Sequence, residues 1–161
     1  MEIKTTDEKP SENKIVDNQS SATQNKDKVT PEVAKKEVDS WLDYKKVKPK
    51  KRENLDAQIE VFVDAIVAGT LVLDHQNFVF KHTLSFPLEN SKGDITVTSV
   101  NYKPRLSVKQ INAKMKGIKP TDADARVLGY IAALTDEATE VLTRFDSEDS
   151  SIAQAFATFF L

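Results

Sequence analysis

Apolar and polar positions alternate with two different periods along this chain, and the changes of period mark its elements. Thr30-Pro31-Glu32 predicts a helix start: Thr can cap, Pro suits the first helical position, and Glu favours the positive end of the helix dipole. Val33, Ala34, Val38, Trp41 and Leu42 recur at helical spacing and give one apolar stripe from 31 to about 46. A second helix is predicted from Asn54 or Leu55 to Ala68, stopping at Gly69. Its stripe is Leu55, Ile59, Phe62 and Ile66, widened by Val63 and extended by Val61 and Ala65. So broad an apolar face must be buried against something.

The period then falls to two. Leu71-Val72-Leu73 reads as a short strand and Asp74-His75-Gln76-Asn77 as a turn. Phe78 to Phe86 is the clearest strand, with Phe78, Phe80, His82, Leu84 and Phe86 alternating with Val79, Lys81, Thr83 and Ser85. Pro87 is expected to end it, and Glu89 to Asp94 supplies turn chemistry. Ile95-Thr96-Val97-Thr98 is another β-rich run, and its alternation slips at Ser99, as a bulge would produce. An antiparallel hairpin is the expected result.

From Pro104 the helical period returns. Ser107 caps a segment carrying Val108, Ile111 and Met115, ended by Gly117. Pro120-Thr121-Asp122 opens the next, with Val127, Leu128, Ile131 and Leu134 as its face, and Thr135-Asp136-Glu137 is expected to cap a short helix holding Val141 and Leu142. Asp146-Ser147-Glu148-Asp149 places acid before a last helix, where Ile152, Phe156, Phe159 and Phe160 fall at i, i+4, i+7 and i+8. The fold class is therefore α+β: a small antiparallel hairpin or sheet packed with several short helices, preceded by two N-terminal helices and a disordered tail.

Composition sharpens the division. Residues 1–54 hold no Phe, while the rest of the chain holds all eight. Before Thr30 the strongly apolar positions are only Met1, Ile3, Ile15, Val16 and Val29, too few to offset roughly 1–2 kcal/mol of backbone entropy per residue. The organisation expected is a disordered tail over 1–29, solubilising or recruiting, a helix and basic linker over 30–54, and an α+β domain over 55–161. Lys45 to Arg52 carries six basic residues in eight, with Pro49 as a helix breaker. It reads either as a solvated hinge or as a basic contact through Lys48, Lys50, Lys51 and Arg52 to nucleic acid or an acidic surface. A net charge of −2 for the whole chain weighs against a nucleic-acid partner.

Catalytic equipment is scarce. Cysteine is absent, which excludes disulfides, thiolate metal sites and Cys nucleophiles. His75 and His82 are the only histidines and cannot by themselves fill a zinc site. His82, in line with the aromatics of its strand, reads as a packed or edge histidine. Asp122 with Asp124, and Asp146 to Asp149, lack calcium-loop spacing and sit where helix N-termini favour negative charge. With glycine only at 69, 93, 117 and 129, no Gly-rich phosphate loop exists. No catalytic residue, metal, cofactor or membrane partner is expected, and the N-terminus carries no apolar signal core.

The order of features in the second half resembles a known family. A strand ends in Leu84-Ser85-Phe86-Pro87-Leu88, a Gly93-Asp94 turn follows, then Ile95-Thr96, a basic-Pro step at Lys103-Pro104 and a Ser107-capped helix. A helix ending Ala132-Ala133-Leu134-Thr135 and a terminal Phe156-Ala157-Thr158-Phe159-Phe160-Leu161 complete the series. This resembles the tail assembly chaperones of Mu-like contractile-tailed bacteriophages over residues 78–161. The family usually lacks so long an N-terminal extension, and Lys103 stands where Arg is common. The resemblance implies a non-catalytic, non-virion protein of the host cytoplasm. It would keep the tape measure protein soluble until tail tube subunits polymerise around it, the tube protein being a further possible partner. The surface expected to carry that binding is Ile152, Phe156, Phe159, Phe160 and Phe145, with packing into their own core as the competing reading. A nucleic-acid-associated regulator and a structural tail or head accessory protein are the alternatives.

Overall fold

The computed structural model describes residues 29–161, so the expected disordered tail lies outside the described residues apart from Val29. Helix α1 (Pro31–Lys45) begins as its sequence directs, with the Thr30 side chain accepting the Val33 N–H. Pro49 does not simply break the chain. It occupies the first position of a short helix, α2 (Pro49–Glu53), where its missing N–H costs nothing. Helix α3 (Asp56–Ala68) ends at Gly69, whose φ of 78° is a left-handed conformation that side-chain-bearing residues rarely adopt.

Three strands follow, β1 (Leu71–Asp74), β2 (Val79–Glu89) and β3 (Ile95–Tyr102), forming an antiparallel meander rather than a lone hairpin. Leu73, Phe80 and Tyr102 pair across the sheet, as do Leu71, His82 and Val100. All six are buried on one face. Val72, Lys81 and Asn101, registered on the other face, are exposed, so the helices cover one side of the sheet only. Phe78 lies outside the strand with a φ of 54°, and its ring stacks on Tyr44 at 4.1 Å.

Pro87 does not end β2. Between the pairs Thr83–Ser99 and Leu88–Val97, β2 runs through residues 84–87 while β3 uses only Thr98. The irregularity expected at Ser99 is thus carried mainly by β2, and Pro87 sits where no ladder N–H is required. The same bulge turns Phe86 outward, to 68 % exposure, against its expected place in the apolar row.

Helices α4 (Val108–Met115), α5 (Ala123–Thr135), α6 (Thr139–Leu142) and α7 (Ser147–Thr158) complete the chain. Ser107 and Gln110 form a reciprocal capping box, and Asp122 and Asp146 cap α5 and α7 through the backbone N–H groups of Ala125 and Asp149. Thr135-Asp136-Glu137 does not cap α6: Ala138 holds that position, Asp136 closes α5, and the Thr135 hydroxyl bonds the Ile131 carbonyl. Gly129 lets α4 approach α5, because a Cβ there would lie 2.9 Å from Met115 Sδ.

One core joins these elements. Trp41 from α1, Phe62 from α3, Phe80 from β2 and Phe156 from α7 are fully buried together, with Phe159 at 3 % exposure. The core crosses the expected boundary between 54 and 55, since α1 contributes the central Trp41.

Candidate functional site

The terminal stripe proposed for partner binding is spent inside the molecule. Phe156 packs on Tyr102 at 4.0 Å and on Phe62 at 4.3 Å between centroids, and Phe159 meets Trp41 edge-on at 5.5 Å. Ile152 is 8 % exposed. The spacing i, i+4, i+7 does mark an apolar face, but the face is filled by α3 and the sheet, so it presents no anchor to a partner in the folded chain. Phe160 is partly buried, with the Lys45 ammonium 3.1 Å from its ring centroid. Phe145, also partly buried, lines a small groove with Leu128 and Leu142 between α5, α6 and α7.

The basic segment is divided between structure and surface. Lys51 Nζ donates to the Phe159 carbonyl at 3.3 Å, beside the C-terminal end of α7 where carbonyls lack helical partners. Arg52 donates to the Val47 carbonyl and pairs with Asp43. Lys45 is pushed down to about 8, first by burial and then by Lys51 and Arg105. Lys48 and Lys50 are exposed, so of the four residues expected to make a basic contact two are committed to internal bonds.

A buried polar cluster lies between β2, β3 and α7, and sequence reasoning treated its acid only as a helix-end charge. Asp149 is 1 % exposed. Its carboxylate accepts the Ser85 backbone N–H at 3.1 Å and the Ser85 hydroxyl at 3.2 Å. His82 is fully buried beside it, with Nε2 3.0 Å from Asp149 Oδ1, a contact whose angle falls short of a hydrogen bond. His82 Nδ1 lies 3.3 Å from the Tyr102 hydroxyl. The phenol is raised by burial and then by the Asp149 charge, which fits its serving as the donor in that pair. The Ser85 hydroxyl faces the Asp149 carboxylate. The cluster ties the bulge of β2 to α7.

Burial lowers the pKa of His82, while Asp149 and Asp146 pull the other way without overcoming it. The unfolded chain then takes up a proton near pH 6.5 that the folded chain refuses, so stability must fall as pH drops through that value. Unfolding free energies from denaturant titrations at pH 7.5 to 5.5 should decline, by at most about 1.4 kcal/mol per pH unit from this group. A His82→Gln variant should show a flatter profile. Equal slopes would assign the decline to other groups.

An open concavity lies between α1 and α3, a groove of about 790 Å³. Ile59 and Val63, one turn apart on α3, contribute half-buried apolar surface to it. Its lining also carries Glu32, Asp39, Glu53, Asp56, Glu60 and Asp64, against the cations Lys35 and Arg52. Ile59 and Val63 were legible as part of a stripe to be buried. Their position beside the i, i+4, i+8 row Asp56, Glu60 and Asp64 was the overlooked signal that this edge of the helix stays open.

Among the described residues, no three His, Asp or Glu side chains cluster to hold a metal ion, and no helix is long and apolar enough to cross a membrane. No family model, curated protein or solved structure matches this chain.

Proposed function

We propose that this protein is a non-catalytic assembly chaperone of the phage-tail type. It holds a helical segment of the tape measure protein in the α1–α3 groove, in the host cytoplasm, until tail tube subunits replace it. The observation that carries this reading is the half-buried Ile59 and Val63 beside an open groove of about 790 Å³. The sequence resemblance over residues 78–161 supplies the partner. Elsewhere the apolar stripe of α7 is already filled from within. A groove of this kind suits an amphipathic helix laid in by its apolar face.

Co-expression with a tape measure protein should raise that protein's soluble yield. Ile59→Ser combined with Val63→Ser should remove most of the effect, since apolar anchors at such contacts contribute roughly 2 kcal/mol or more each, about thirtyfold in affinity. Phe86→Ser, at an exposed site on the bulge, is the control that should retain it. The circular-dichroism melt of each variant establishes that it is folded. A folded double variant that still solubilises the partner would move the binding surface off this groove.

A further inference from the structure

The charges around the groove define the chemistry of what can lie in it. Asp56, Glu60 and Asp64 repeat at i and i+4 along α3, and like charges at that spacing weaken a helix. Glu32 and Asp39 face the same space from α1, and Glu53 from α2. Among the described residues none of these six carboxylates is in an ion pair. Of the two cations in the lining, Arg52 is already bonded to Asp43 and to the Val47 carbonyl, which leaves Lys35. An uncompensated acidic rim running parallel to an apolar pair on α3 is complementary to one kind of helix, apolar on one face and basic along both flanks.

We infer that the α1–α3 groove selects a basic amphipathic helix, through Ile59 and Val63 beneath it and through the carboxylates Asp56, Glu60 and Asp64 along its side. This rests on the proposed helix-holding function and specifies the partner's chemistry. The rim repels an acidic helix, so it rejects wrong partners as well as attracting the right one. It also makes association faster at low ionic strength, since exposed charges are screened over about 10 Å at 0.1 M salt.

The test uses the full chain and two synthetic helical peptides sharing one leucine stripe, one flanked by lysines and its twin by glutamates. Fluorescence anisotropy should show the lysine peptide binding at least about tenfold more tightly than the glutamate peptide, with the difference shrinking as salt is raised. Asp56→Lys combined with Glu60→Lys changes exposed positions only and, by cancelling the acidic excess of the lining, should abolish the preference. Equal binding of the two peptides overturns the inference. If Ile59→Ser with Val63→Ser still abolishes solubilisation in co-expression, that result leaves the helix-holding function standing on its own. A lysine preference that survives the charge reversal places the acidic site elsewhere and also overturns it. So does sedimentation showing a dimer of the full chain that Asp56→Lys with Glu60→Lys dissociates, because the groove is then occupied by a second copy. A preference that disappears with the acidic rim, in a chain that stays monomeric, supports it.

Discussion

Phe156→Ala is expected to lower the stability of the folded chain by about 3–5 kcal/mol, the range for removing a fully buried aromatic ring from a packed core. The ring lies within 6 Å, centroid to centroid, of Trp41, Phe62, Phe80 and Tyr102, which belong to four different elements. Those neighbours cannot all collapse into the void, because each is fixed by its own helix or strand. A domain of this size has roughly 5–15 kcal/mol in all, so the variant keeps only part of its margin and Phe156→Asp is expected not to fold. Chemical denaturation followed by the fluorescence of Trp41, the one tryptophan, measures the loss directly. A midpoint close to wild type would mean that the ring is not buried. For the same reason, loss of partner binding in Phe156→Asp would report unfolding and not a damaged interface.

Asp149→Ala should cost about 1–3 kcal/mol, by a different route. The carboxylate accepts both donors of Ser85 and stands against the buried His82, and its removal takes the acceptor from the first and the neighbouring carboxylate from the second. A part-buried donor that loses its acceptor recovers only some of the solvation it had in the unfolded chain. Asp146→Ala is the informative comparison. It removes an ordinary N-cap of the same helix, worth about 1 kcal/mol, while leaving the cluster in place. Equal destabilisation by the two substitutions would show that Asp149 acts only as a helix-end charge, which is all its sequence position suggests.

Much of the candidate groove was present in the sequence without being readable as a groove. Ile59 and Val63 belong to a stripe so broad that it demanded burial, and most of it is indeed buried: Phe62 and Ile66 go to the core. Which edge of such a stripe remains uncovered depends on where α1 lands, and α1 contacts α3 along one side only, leaving the groove open beside it. The basic segment posed the converse problem. Its lysines look equivalent in sequence, yet Lys51 reaches a carbonyl at the end of α7 while Lys48 stays in solvent.

Local chemistry decides one set of features before any distant contact forms. Helix starts at Thr30, Ser107, Asp122 and Asp146 follow from side chains that satisfy the first free N–H groups, and the stop at Gly69 from a backbone conformation glycine adopts freely. The α+β class follows from the two periods of apolar residues, because period decides which residues share a face. Tertiary structure alone decided what each face meets. The Phe156 stripe turned inward because Trp41, more than a hundred positions earlier, brings a complementary surface to it. Pro87 was carried through β2 because a bulge removed the need for its missing N–H. Asp149 became a buried acceptor because β2 delivers Ser85 and His82 to the first turn of α7. Each of these depends on contacts distant in sequence, and a periodicity reports only that a face exists, never what will cover it.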